Sequence, residues 1–159
     1  MPVKILIADD HEVVRQGIRT ILSARPEWEI CGEAVNGQEA IRLANELNPD
    51  AIIMDITMPV MSGLEAARQL TKSKISAPIL IFTMHESRSL ADSVKETGAR
   101  GFVFKSRAAR DLIHALDLLL SGGSYFGPDG DKASPSDKSP NRSISFLRAL
   151  DIIPSIVFA

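Results

Sequence analysis

One cysteine, Cys31, is all that this 159-residue chain contains, which excludes an internal disulfide. It falls in an expected strand, Glu29 to Ala34, where a buried and inert thiol is the ordinary reading. Also missing are an amino-terminal signal pattern and any apolar run of membrane-spanning length. A cytoplasmic location without membrane association is therefore expected. Neither sign of charge dominates, since 18 basic residues stand against 20 acidic ones for a net charge of −2. That balance argues against a strong global pull toward nucleic acid or anionic lipid. No internal repeat is visible.

What is present is a 45% hydrophobic share, enough for one compact domain with a real core. Four strongly apolar stretches each end in a polar residue. Val3 to Ala8 runs into Asp9-Asp10, and Ala51 to Met54 into Asp55. Ile79 to Phe82 ends at Thr83, and Gly101 to Phe104 ends at Lys105. Short apolar runs bounded in this way read as buried strands of a parallel sheet. In an open α/β sheet the ligand site lies beyond the carboxyl ends of the strands. Three carboxylates, a hydroxyl and an ammonium are thus expected to converge on one spot.

Segments of helical period separate the strands, which predicts a βαβ series with five strands and five helices in residues 1–125. Val13, Val14, Gly17, Ile18, Ile21 and Leu22 make the first helical face. Asn36-Gly37 reads as a turn before a second helix carrying Ala40, Ile41, Ala44 and Leu47. A third helix is expected around Leu64, Ala67 and Leu70. The fourth, Glu86 to Thr97, has a thin stripe of Leu90, Ala91 and Val94 and a closing Gly98. The fifth presents Ala109, Leu112, Ile113, Leu116, Leu119 and Leu120, with Asp111, His114 and Asp117 away from that stripe. Residues 126–143 then read as a flexible linker. Residues 144–159 read as a short apolar segment.

The chemistry of the strand ends is specific. Asp9 and Asp10 facing Asp55 repel one another unless a cation lies between them. Mg²⁺ suits such a place, because it takes a few carboxylates plus waters and phosphate oxygens. A carboxylate can also attack phosphorus and become an aspartyl phosphate, helped by charge neutralisation from a metal, a lysine and a hydroxyl. Taken singly, each residue has an ordinary explanation. Asp10 can cap the first helix, Asp55 can be a plain strand-end carboxylate, and Thr83 a turn hydroxyl. Lys105 can be a solvated charge and Phe102 a core aromatic. Those separate explanations do not account for all the pieces standing at successive strand ends.

The strings ILIADD, IIMDITMPVMSG, ILIFTMH and GFVFKS resemble the receiver domain of two-component response regulators over residues 1–125. TMHE, GARGFVFKS and SGGSYFGP resemble the NarL-type subfamily in particular. The resemblance implies a flavodoxin-like, doubly wound sheet of five parallel strands in the order 2-1-3-4-5, with five helices. It implies that Asp55 accepts a phosphoryl group from a sensor histidine kinase. Asp10 and Asp55 would hold Mg²⁺ directly, Asp9 through water, and the Thr57 backbone carbonyl would add a ligand. Lys105 would pair with a phosphate oxygen. Thr83 would bind another and pass the change to Phe102 as a switch pair. His85 would border the site and tune access of water, whereas His11 and His114 read as solvated surface residues. The last helix is the candidate surface for a homodimer.

Ser106 stands where many receivers have a proline joined through a cis bond. A non-proline cis bond costs about 2.5–4 kcal/mol, so that bond is for the structure to decide. NarL-type proteins carry a helix-turn-helix module after a linker. Too few residues follow Gly127 for linker and module together, and no basic recognition helix is visible there. No direct DNA binding is expected from this chain, although a truncated transcriptional regulator of NarL type remains the main alternative. An Mg²⁺-dependent aspartyl-phosphate phosphatase would need an acidic residue two places after the nucleophile, where Thr57 stands. A signalling domain rather than a turnover enzyme is therefore expected. A flavodoxin-type redox carrier would need a hydroxyl- and glycine-rich cradle after the first strand, where Asp-Asp-His stands.

Overall fold

The computed structural model describes residues 1–127. Six parallel strands form one sheet: β1 (Val3–Ala8), β2 (Trp28–Ala34), β3 (Ala51–Asp55), β4 (Ile79–Thr83), β5 (Gly101–Phe104) and β6 (Tyr125–Phe126). Their order is β2-β1-β3-β4-β5-β6, and every neighbouring pair is parallel. The connecting helices are α1 (Glu12–Leu22), α2 (Gly37–Leu47), α3 (Gly63–Lys72), α4 (Leu90–Glu96) and α5 (Ala108–Leu120). The expected order holds for the first five strands, and the sixth is an addition. Gly101 permits it, because a Cβ there would lie 2.0 Å from the Tyr125 carbonyl oxygen.

Alternation along the strands builds two cores. Leu6, Ile52, Met54, Ile81 and Phe102 pack against α2, α3 and α4. Ile5, Ile7, Ile53, Leu80 and Val103 pack against α1 and α5. Most of these strand residues are fully buried, so the sheet is a rigid frame for whatever stands at its rim. Caps fix where two helices start. Asn36 accepts the Glu39 N–H at 2.8 Å and Ser62 accepts the Glu65 N–H at 3.2 Å. Asn36 is thus the cap of α2 rather than part of a separate turn. Gly98 closes α4 with a φ of 87°, as its sequence position predicts.

Several local readings need correction. In α1, Val13 is 79% exposed, because it lies roughly 140° around the helix from buried Ile18 at 100° per residue. Gly17 is exposed as well. The fourth helix starts at Leu90, not Glu86. The Ser87 hydroxyl accepts the Ser89 N–H and meets the Ser89 hydroxyl, so local side-chain bonds hold that stretch out of the helix. In α5 the buried face is turned toward Asp111, which lies one turn before buried Ala115, while Ala109 is exposed. Asp111 is compensated by Arg107 at 3.0 Å, and Asp117 by Arg25.

His114 is not a solvated surface residue. Its ring stands edge-on to Tyr125 at 5.7 Å, because β6 covers that side of α5. Phe126, expected as the first linker residue, pairs in β6 and packs on Phe102 with ring centroids 6.1 Å apart. Strand β2 begins at Trp28, and its register on β1 shifts so that Cys31 is the extra residue of a bulge. The thiol is only partly buried, and desolvation raises its pKa, which keeps it protonated and inert. Residues 128–143 of the expected linker and the apolar segment 144–159 lie outside the described residues.

Candidate functional site

The chain leaves β1 for β2 on one side of the sheet and returns to β3 on the other. That reversal opens a crevice at the carboxyl ends of β1 and β3. Asp9 and Asp10 follow β1, and Asp55 ends β3, so the strand order alone brings them together. Oxygens of Asp9, Asp10 and Asp55 and a ring nitrogen of His11 all lie within 4.8 Å of one another. Asp9 and Asp55 are buried, whereas Asp10 and His11 are open to solvent.

Lys105 enters from two strands away. It opens a 3₁₀ turn, Lys105–Arg107, directly after β5, and the described residues contain no cis peptide, so its bond to Ser106 is trans. The side chain passes over the Phe82 ring, with Nζ 5.8 Å from the ring centroid. It ends 2.8 Å from Asp9 Oδ2 and 3.2 Å from Asp55 Oδ1. The contact with Asp9 is an ion pair rather than an aligned hydrogen bond, since Oδ2 has no hydrogen-bond donor aimed at it. Burial pushes the Asp55 carboxyl above the ordinary carboxylate range, and the Asp9 charge adds to this against the opposing pull of Lys105. Burial also tends to lower the Lys105 pKa. Its contacts with Asp9 and Asp55 outweigh this and leave it above the ordinary lysine value. One ammonium shared among these carboxylates leaves the crevice with an excess of negative charge.

The loop after β1 is held by groups the sequence did not single out. Asp9 Oδ1 accepts the His11 backbone N–H at 2.8 Å, which folds the acidic pair into a tight Asx turn. Arg15 Nη1 donates to the Asp9 carbonyl at 2.6 Å, and its Nε donates to Glu33 Oε1 at 2.9 Å. Only 11% of the Arg15 side chain is exposed, and a guanidinium that donates in several directions suits such bracing. The available signal was a cation one helical turn after His11, but its partner Glu33 is distant in sequence. Asp10 does not cap α1, whose cap residue is His11 without a side-chain cap bond.

Thr83 ends β4, almost fully buried, and its hydroxyl accepts the His85 backbone N–H at 3.1 Å. Phe102 is 6% exposed and touches Phe104 at a ring separation of 5.3 Å. Thr83 pairs in register with Phe104 across β4 and β5, and strand alternation puts Thr83, Phe102 and Phe104 on one sheet face. His85 is exposed in the loop after β4, and Thr57 is exposed in the loop after β3, two residues past Asp55. That second loop is tight. Gly63 N–H donates to the Ile56 carbonyl at 2.8 Å, and Met61 N–H to the Pro59 carbonyl at 2.7 Å. The latter bond closes a three-residue turn around Val60, whose φ is 69°.

A donor set of three carboxylates with excess negative charge fits a hard divalent cation such as Mg²⁺. The family model described as the response regulator receiver domain matches residues 5–117. The chain belongs to that family. Receiver domains are signalling domains that generally bind Mg²⁺ at an acidic pocket, and this chain brings Asp9, Asp10 and Asp55 together in an acidic cluster. This receiver domain is 43% identical over 126 residues to the transcriptional regulatory protein YdfI of Bacillus subtilis, covering 79% of this chain and 59% of YdfI. It is 35% identical over 121 residues to the nitrate/nitrite response regulator NarL of Escherichia coli, covering 76% of this chain and 56% of NarL. The chain thus spans less than two thirds of the length of these curated relatives. A two-component response regulator of the LuxR family from an Aurantimonas species superposes with a TM-score of 0.77 at 37% identity, covering 83% of this chain and 94% of that one. The relatives are of the NarL and LuxR type, as the sequence strings imply. Among the described residues, no helix is long and apolar enough to cross a membrane.

Proposed function

We propose that this receiver domain is a phosphorylation-dependent switch that takes a phosphoryl group from a sensor histidine kinase onto Asp55. The observation that carries this reading is the contact of Lys105 with both Asp9 and Asp55, at 2.8 and 3.2 Å, beside an acidic pair that can hold a cation. An Asp55 carboxylate oxygen attacks phosphorus, the oxygen–phosphorus bond forms, and the nitrogen–phosphorus bond of the phosphohistidine breaks with its electron pair leaving on the imidazole. Lys105 neutralises one of the phosphoryl oxygens. Asp10, Asp55 and the Thr57 carbonyl would hold Mg²⁺, with Asp9 acting through water, and the ion supplies charge neutralisation for the transfer.

Thr83 is the sensor in this reading. Its hydroxyl already accepts a hydrogen bond, so its proton is available to a phosphoryl oxygen at the neighbouring strand end. Movement of Thr83 makes room into which Phe102 repacks, and α4 follows. That helix has seven residues, of which Leu90 and Val94 are buried, so few contacts hold it. Identical Thr83 and Phe102 rotamers in free and phosphate-mimic-bound crystals would contradict this route.

Incubating the chain with acetyl phosphate and Mg²⁺, followed by intact-mass measurement, tests the assignment. The wild type gains one phosphoryl group and Asp55→Asn gains none. Equal labelling of both proteins, or labelling of neither while folded, removes it. No turnover enzyme is assigned, because Thr57 occupies the place of a general acid. A second reading, the receiver portion of a NarL-type transcriptional regulator, is favoured by one observation. YdfI, named as a transcriptional regulatory protein, extends well beyond the shared region. A gel shift with the longest available form of the chain separates the two outputs.

A further inference from the structure

Among the described residues, His11 is a histidine whose exposed ring lies against the acidic crevice. Its side chain is 64% exposed, yet Nδ1 lies 3.3 Å from Asp9 Oδ1 and 3.1 Å from Asp10 Oδ1. The backbone puts it there. His11 is extended, with φ −102° and ψ 116°, and its N–H is bonded to the same Asp9 oxygen that its ring approaches. The other two histidines are engaged or placed otherwise, His114 against Tyr125 and His85 in the exposed loop after β4.

Those two separations have a meaning beyond hydrogen bonding. With metal–ligand bonds of about 2.1 Å, neighbouring ligands of an octahedron lie about 3.0 Å apart. An imidazole nitrogen 3.1 Å from an oxygen of Asp10, a carboxylate that would hold the ion directly, has the spacing of a ligand edge. One Lys105 ammonium, 2.8 Å from Asp9 Oδ2 and 3.2 Å from Asp55 Oδ1, is shared between two buried carboxylates beside a third, so the pocket holds more negative than positive charge. Mg²⁺ gains little from a nitrogen donor, whereas Co²⁺ and Ni²⁺ gain a good deal.

We propose that His11 is a metal-selectivity residue, whose imidazole joins the carboxylates of Asp9, Asp10 and Asp55 and tilts this pocket from Mg²⁺ toward borderline cations such as Co²⁺. The inference rests on the reading of the crevice as a cation site and goes beyond it by giving this chain a nitrogen ligand. A receiver with a carbon side chain at that position would keep the oxygen donors and lose the preference.

The test is calorimetric titration of the full chain with Co²⁺ and, separately, with Mg²⁺, at one fixed pH. Wild type is compared with His11→Asn, which retains a hydrogen-bond donor for the carboxylates, and with His11→Ala. The ratio of Co²⁺ to Mg²⁺ affinity is expected to fall about tenfold in both variants, and the visible spectrum of bound Co²⁺ is expected to change. A ring that merely braces the acidic loop would shift both affinities by the same factor and leave the ratio and spectrum alone, which overturns the inference while the cation site stands. Failure of folded wild type to bind either ion overturns both.

Discussion

Lys105 pairs more closely with Asp9, at 2.8 Å, than with the carboxylate proposed to take the phosphoryl group. Its ammonium is the counter-charge that lets two buried acids face each other. Removing it in Lys105→Met leaves both carboxylates in a poorly hydrated crevice without compensation. The variant is expected to lose about 3 kcal/mol of stability in chelator, the scale found when one partner of a buried pair is deleted. Added Mg²⁺ is expected to restore part of the loss. Urea denaturation with and without Mg²⁺ checks both, and an unchanged midpoint in chelator contradicts the pairing.

The raised Asp55 pKa carries a sign. A carboxyl whose folded-state pKa lies above its unfolded value contributes stability that is fully present below the unfolded pKa, about 3.9 for Asp. That contribution is lost as pH rises through the folded pKa, so ionised Asp55 is a liability at neutral pH. Without metal, Asp55→Asn is therefore expected to melt higher than wild type at pH 7. The gap narrows as pH falls through the folded pKa. Thermal melts across pH test this, and a variant that melts lower at neutral pH would refute it.

Gly63 admits no side chain. A Cβ there would stand 1.8 Å from the Asp55 carbonyl oxygen, and backbone cannot yield as a flexible side chain does. Gly63→Ala is expected to cost about 2 kcal/mol, in the range of overpacked interiors, and to slow phosphoryl uptake by displacing Asp55. Chemical denaturation and the rate of labelling by acetyl phosphate report the two effects.

Val60 holds the opposite kind of position. Its φ of 69° is a strained backbone for a β-branched residue, and its side chain is 77% exposed, so no packing repays the strain. Relief of about 1–3 kcal/mol of strain, less the 0.5–1 kcal/mol of extra chain entropy that glycine loses, predicts that Val60→Gly gains about 1 kcal/mol. A lower denaturation midpoint would show that the turn is not strained.

How much of this was legible beforehand follows from what each feature depends on. Asp9, Asp10, Asp55, Thr83 and Lys105 could be read as one group because each ends a buried apolar strand, and parallel strands deliver their ends to one rim. Strand β6 could not, since two residues carry no period and their pairing depends on the bare Cα of Gly101. Missing that strand is what made His114 look solvated. The bracing of Asp9 by Arg15 and Glu33 also escaped, because it joins residues 18 apart in sequence, on α1 and β2, through a guanidinium that one-dimensional patterns do not record. The ring of His11 escaped for a backbone reason, the Asx turn that folds it back over its own neighbours.

Reductive trapping tests the central claim most directly. After incubation with acetyl phosphate and Mg²⁺, borohydride reduces an aspartyl phosphate to a homoserine side chain, and peptide mass mapping locates it. The account predicts a single converted position, residue 55, that disappears when Mg²⁺ is chelated. Conversion at Asp9, at Asp10 or elsewhere with Asp55 untouched would contradict it.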